Sequence, residues 1–205
     1  MSLFIYGDSH AKFGFQNLNI PYHDKHQNSI TMFRVGRDNI IPNFNSSEHD
    51  ETSIICLAYG EVDCRCHVQR QINLGRNEDV IIHELVDNYF KTIRNNIKVC
   101  KKVVVIGVIP PTKQFDYENL NGPILHEFPF VGSDDERVRY TNKVNDRIRY
   151  NCEICGYIYF NPYIFYTRPD GTLKYELSDA CVHLGDNSFF LQEFTYLHKK
   201  ISLSV

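Results

Sequence analysis

Val103-Val104-Val105-Ile106-Gly107-Val108-Ile109 is an unbroken apolar run, and it constrains the fold more than any other stretch of the chain. A strand with one face in water alternates apolar and polar residues. A run with no polar side belongs to a strand covered on both faces, as in a parallel sheet. Pro110-Pro111 end it. Two further apolar runs stop in the same abrupt way. Leu3 to Tyr6 breaks at Gly7, and Ser53 to Tyr59 breaks at Gly60, each followed at once by an acid.

Between these runs the apolar period changes from two to three and four. Asn77 is a good N-cap, Glu78 and Asp79 suit the positive end of a helix dipole, and Ile82, Leu85, Val86, Tyr89, Phe90, Ile93 and Ile97 share one face. Asp134 to Tyr150 repeats the pattern through Val138, Thr141, Val144 and Ile148, and Ser188 to Ile201 forms a closing amphipathic helix. Ile30 to Val35 reads as a second strand ended by Gly36, and Tyr157 to Phe160 as a fifth. Residues 11–30 and 38–52 read as loop with short helical pieces, and 177–187 as loop. The connection from Pro110 to about residue 133 is long enough to form a surface lobe near a site. Strand and helix alternate with no hairpin turn signal, which predicts a mainly parallel sheet of about five strands with helices on both faces. The 205 residues (1–205) are expected to form one domain.

Composition removes several function classes. A net charge of -3 gives no electrostatic reason to expect a nucleic-acid or anionic-membrane partner. No apolar run approaches the ~20 residues of a membrane span. Gly7-Asp8 leaves no room for a secretory apolar region after Met1, and seven cysteines form no small-scaffold pattern. Reduced thiols and a cytoplasmic location are the expectation.

The chemistry is concentrated where the first strand breaks. Gly7-Asp8-Ser9-His10 presents an acid, a hydroxyl and an imidazole at a strand's carboxyl end, where ligands bind in open α/β sheets. Ser9 as a nucleophile would make an esterase; Asp8 and His10 as metal ligands would make a phosphoesterase. A serine hydrolase also needs a histidine base, a carboxylate to orient it, and donors aimed at the oxyanion. Asp179-Ala180-Cys181-Val182-His183 supplies acid and base on one loop just before the last helix.

Taken together, Gly7-Asp8-Ser9-His10, a glycine after the second predicted strand, Gly60-x-x-Asp63 after the third, and the late Asp179/His183 pair resemble the SGNH (GDSL-type) hydrolases along the whole chain. The resemblance implies a flavodoxin-like three-layer α/β/α sandwich. It implies Ser9 as nucleophile, His183 as base, Asp179 as orienting acid, and an oxyanion hole from the N–H groups of Ser9 and Gly36. Asp8, His10, Gly60, Asp63 and Arg65 are then expected to bind substrate or order the site. Two departures stand out. Val62 occupies the place of the family's oxyanion asparagine, and Asp179 and His183 are one residue further apart than the family's Asp-x-x-His. Arg65 is the candidate to replace the missing donor or to bind an acidic group.

The expected activity is hydrolysis of a small acyl ester, an O-acetyl group on a carbohydrate or other small molecule, with no cofactor and no metal. Transfer of the acyl group to a second sugar is a neighbouring reading, and a binding module without turnover is another. A rival resemblance, to calcineurin-like metallophosphoesterases, would make Asp8, His10 and Glu61 ligands of a two-metal site. Its Gly-Asn-His block is missing, because the fourth strand ends in Ile109-Pro110-Pro111. Cys64-x-Cys66 and Cys152-x-x-Cys155 are two thiol pairs with zinc-like proximity, read as buried unpaired cysteines.

Overall fold

The computed structural model describes residues 1–124 and 128–203. Strands β1 (Leu3–Gly7), β2 (Tyr22–Asp24), β3 (Ile54–Ala58), β4 (Lys102–Ile106) and β5 (Ile158–Phe160) form one parallel sheet in the order β2-β1-β3-β4-β5. The apolar runs explain which strands are central. Every residue of β1 and β3 is buried, and β4 is buried after its first lysine. The register pairs Gly7 with Ala58 and Ile106 with Phe160, so the strands end close to one level. Asp8, Gly60, Gly107 and Asn161 therefore leave the sheet along one edge.

Helices α1 (Ser9–Phe15) and α7 (Ser188–Leu203) cover one face. Leu3, Ile5, Cys56, Val104 and Ile106 pack there against Phe15, Phe190 and Phe194. Helices α2 (Met32–Asp38), α4 (Glu78–Asn96) and α6 (Asp134–Cys155) cover the other, where Phe4, Tyr6, Leu57 and Val105 meet Val35, Tyr89, Phe90 and Ile148. Short α3 (Val68–Asn73) continues a turn that starts at Glu61, and α5 (Gln114–Asn121) lies in the long connection after β4. This is a flavodoxin-like three-layer α/β/α sandwich. Among the described residues no helix is long and apolar enough to cross a membrane.

The stretch expected as a second strand is instead a helix. Thr31 caps α2 by accepting the N–H of Arg34 at 3.0 Å, and Met32 and Val35 bury one face at a spacing of three. The second strand is Tyr22–Asp24, which pairs with the outer edge of β1. Being short and half polar, it carries no apolar signal. Helix α6 runs five residues past Tyr150 to Cys155, between a Ser133/Glu136 capping box and a left-handed Gly156. Within the lobe expected between Pro110 and residue 133, positions 125–127 lie outside the described residues.

Candidate active site

Asp8 leaves β1 in an extended conformation and caps α1, accepting the N–H of His10 at 2.8 Å. Ser9 is thereby the first residue of a helix. Its N–H belongs to the first turn, whose amides have no acceptor within the helix. Across the same edge, Asp179 and His183 sit in a loop tied at its base: the N–H of Asp179 donates to the carbonyl of His183 at 3.0 Å. Asp179 Oδ1 accepts the N–H groups of Cys181 at 2.9 Å and His183 at 3.1 Å, so the chain curls around the carboxylate. Ala180 takes up the extra residue in the left-handed conformation, with φ 63°.

These two segments bring the predicted Ser9, His183 and Asp179 together. His183 Nε2 is 2.9 Å from Ser9 Oγ, and His183 Nδ1 is 2.8 Å from Asp179 Oδ2. The His183 ring is sandwiched, stacked on Phe13 at 4.3 Å between centroids and tilted against His10 at 4.6 Å. Burial works against ionisation of Asp179. The His183 ring and the two loop amides outweigh it and hold the carboxyl below its ordinary range.

Behind the reacting atoms lies a chain of buried charge. His10 Nδ1 faces Asp8 Oδ1 at 3.1 Å, and its Nε2 is 3.7 Å from Glu61 Oε2 and 3.3 Å from the carbonyl of Val182. Burial disfavours protonated His10, yet the carboxylates of Asp8 and Glu61 prevail and raise its pKa. Glu61 is likewise opposed by burial and rescued by Arg65 and His10, ending below its ordinary value. Arg65 Nε donates to Glu61 Oε1 at 2.8 Å, and its Nη1 donates to the carbonyl of Phe128. Arg65 is thus committed to an ion pair and a backbone anchor. Asp8 Oδ2 and Glu61 Oε2 are buried without a hydrogen-bond partner among the described residues. They border a cavity of about 10 Å³, lined also by Tyr59 and Tyr163, which is no larger than one water.

The Gly60-Glu61-Val62-Asp63 block orders the elements around the site. Gly60 has φ 123°, and a Cβ there would lie 2.8 Å from Val108 and 2.9 Å from Met32, so only glycine turns β3 into the helix beyond it. Asp63 accepts the N–H of Met32 at 2.7 Å and of Phe33 at 3.3 Å, pinning the start of α2. Its burial, only partly offset by those two bonds, pushes its pKa up to about 7. Asp63 to His67 forms a single π-helical turn, a geometry common beside functional sites.

Gly36 is the one oxyanion assignment the structure corrects. It lies inside α2, where its N–H belongs to the helical ladder, and a Cβ would come within 3.0 Å of Asn88 Cβ and 3.2 Å of the Tyr89 nitrogen. It is glycine because α2 and α4 touch there. The metal-ligand reading of Asp8, His10 and Glu61 also fits poorly. Each nitrogen of His10 faces a different carboxylate, and Arg65 holds the second oxygen of Glu61. The two thiol pairs form no ligand group of three or more among the described residues, and Cys66 Sγ donates to the carbonyl of Val62.

Phe13 and the partnership of His10 with Glu61 escaped sequence reasoning. Phe13 stands four residues after Ser9, on the same face of α1, which is the signal that would have found it. Asn121 on α5 was missed as well; its Nδ2 donates to the carbonyl of Ala180 at 2.7 Å, as does the hydroxyl of Tyr175. Both brace the Asp179–His183 loop from outside.

No protein-family model and no curated protein matches this chain. Solved structures do. A protein provisionally described as a platelet activating factor, from Streptococcus pneumonia, superposes with a TM-score of 0.66 at 13% identity, over 98% of this chain and 83% of that one. A GDSL-like lipase from Bacteroides thetaiotaomicron gives 0.57 at 12% identity, over 100% and 89%. Phospholipase A1 from Streptomyces albidoflavus gives 0.54 at 13% identity, over 95% and 98%. At these identities the likeness is one of fold.

Proposed function

We propose, on the premise that this chain has the fold of the SGNH (GDSL-type) hydrolases, that it is a serine ester hydrolase working through Ser9, His183 and Asp179. The observation that carries the reading is the unbroken sequence of contacts from Ser9 Oγ through His183 to Asp179, at 2.9 and 2.8 Å. His183 Nε2 takes the Ser9 proton as Oγ attacks the ester carbonyl, and returns it to the leaving alcohol. Water then deacylates the enzyme by the same route. Asp179 fixes the tautomer that leaves Nε2 free to accept, and stabilises the imidazolium that forms. The Ser9 N–H, at the start of α1, is one oxyanion donor. With Val62 and Gly36 unable to contribute as expected, the donor set is poorer than in the resembled family. Loss of one donor in other serine hydrolases costs roughly a hundred- to a thousandfold in rate.

The substrate proposed is a small acyl ester, acetyl in the first instance, on a carbohydrate-like alcohol. What supports the alcohol is a cavity of about 660 Å³ at the ends of β4 and β5. Asn142, Asp146, Arg149 and Tyr159 line it, giving hydroxyl-binding groups beside an aromatic ring, while Asn145 and Asn161 shape its wall, their amides bonded to Val108, Tyr159 and Tyr163. It shares Val108 and Tyr163 with the small cavity against Asp8 and His10. The test is a comparison of acetyl, short fatty acyl and aryl esters, followed by acetylated sugars. Hydrolysis of acetyl sugars above simple acetyl esters supports the assignment; preference for long acyl chains defeats it.

A further inference from the structure

We propose that the Asp179–His183 loop also binds a thiophilic divalent cation such as Zn²⁺ through Asp179, Cys181 and His183, and that the cation holds the triad off. One ligand atom from each of these three residues lies within 4.8 Å of the other two, and no other such group occurs among the described residues. A carboxylate, a thiolate and an imidazole are a donor set that Zn²⁺ takes readily, with water in the fourth position. Zinc bonds of about 2.0–2.3 Å put tetrahedral ligands about 3.5 Å apart, so the site is completed by drawing in the Cys181 thiol and slightly parting Asp179 Oδ2 from His183 Nδ1, now 2.8 Å apart.

The loop is built for convergence. Its base is closed by the bond between the Asp179 N–H and the His183 carbonyl and by pairing of Ser178 with Leu184. The amides of Cys181 and His183 point at Asp179 Oδ1. That leaves Oδ2 turned toward His183. The spacing, one residue longer than Asp-x-x-His, makes room for the thiol. Cys181 is half-buried, so the loop is accessible from solvent without being disordered by it.

The consequence rests on the triad reading; the binding itself does not. The cation replaces the proton shared by Asp179 Oδ2 and His183 Nδ1, and the Cys181 thiol releases its proton to solvent. Nothing is oxidised or reduced. With the cation on Nδ1, the displaced proton returns to His183 at Nε2 by way of solvent, facing Ser9, and the ring cannot accept the hydroxyl proton.

Cobalt titration of the full chain tests this, because a cobalt–thiolate bond absorbs in the near ultraviolet and tetrahedral Co²⁺ absorbs strongly in the visible. The wild-type protein is expected to develop both bands, saturating at a single equivalent, and to lose them when Zn²⁺ is added. Cys181→Ser is expected to lose the thiolate band. In wild type alone, Zn²⁺ is expected to slow alkylation of Cys181, mapped by mass spectrometry, at least about tenfold, since a metal-bound thiolate is a poor nucleophile toward the reagent. This second measurement decides the matter even if the variant fails to fold. Absence of the thiolate band in wild type, its retention in Cys181→Ser, or unprotected alkylation would each overturn the site. If the bands appear in a protein that hydrolyses no ester even when stripped of metal, the site stands and the hydrolase reading falls. If the protein hydrolyses esters and binds cobalt without loss of rate, the proposed switch is wrong.

Discussion

Ser9 Oγ and His183 Nε2 are 2.9 Å apart although 174 positions separate them in the chain. The sheet accounts for this. Ser9 is set by the end of β1, and His183 by a loop that lies against α1 and is closed on itself before α7 begins. Neither side chain depends on a long flexible segment for its position.

Asp179 acts on His183 through one oxygen while its other oxygen holds the loop. Asp179→Asn keeps an acceptor for the two loop amides but favours the wrong imidazole tautomer. Hydrolysis of an activated acetyl ester should fall roughly 10⁴-fold, as in other Ser-His-Asp enzymes, with thermal stability nearly unchanged. Rates and melting curves measured on the same preparation check both halves of this expectation.

The fold was largely legible because the three central strands are solid apolar runs, and because α4 and α6 carry clean helical spacing and N-caps. The second strand was not. Tyr22–Asp24 is an edge strand of three residues, one half-buried and two exposed, whereas Ile30 to Val35 contains enough branched and aromatic residues to imitate a strand. Its helical state is decided by tertiary contact, the carboxylate of Asp63 on the first amides of α2. The position of Gly36 follows from that mistake. Once 32–38 is helix, a glycine in it reports close helix packing and no longer a turn. Ser9, His183 and Asp179 were readable because each sits beside a strand end or a turn signal. Phe13 and the His10–Glu61 contact were not, since they depend on how two elements face each other.

His10 couples folding to pH. Its pKa is raised in the folded protein above the ordinary 6.5, so its charge stabilises the fold most fully below that value, and the contribution is lost as pH rises through the higher folded value. The stability advantage of wild type over His10→Gln should therefore shrink between about pH 6 and higher pH. Denaturant titrations of both proteins across that range give the answer, and an advantage that grows with pH would refute it.

Asp63 shifts stability in the same direction, the reverse of the usual case for an acid. Its folded pKa of about 7 exceeds the ordinary 3.8, so the native state holds a proton that the unfolded chain has released, and stability declines across that interval as pH rises. Asp63→Asn should flatten this decline. Comparison of unfolding midpoints near pH 4 and pH 7.5 reads the slope, and equal slopes in the two proteins would exclude the effect.

Arg65 is required by Glu61 more than by the substrate. Arg65→Ala leaves a buried carboxylate with only His10 for company, and the loss should be about 3–5 kcal/mol, visible as a lower denaturant midpoint. Adding Glu61→Gln should restore much of it. A stable Arg65→Ala protein with a raised KM would instead assign Arg65 to the substrate.

The central claim is that Ser9 is a nucleophile activated by His183. A fluorophosphonate probe tests it most directly, with mass spectrometry to locate the adduct. The wild-type protein should label at Ser9 alone and hydrolyse an activated acetyl ester. Ser9→Ala should do neither while melting at the same temperature. A folded wild-type protein that neither labels nor hydrolyses, or a Ser9→Ala protein that retains hydrolysis, would contradict the account.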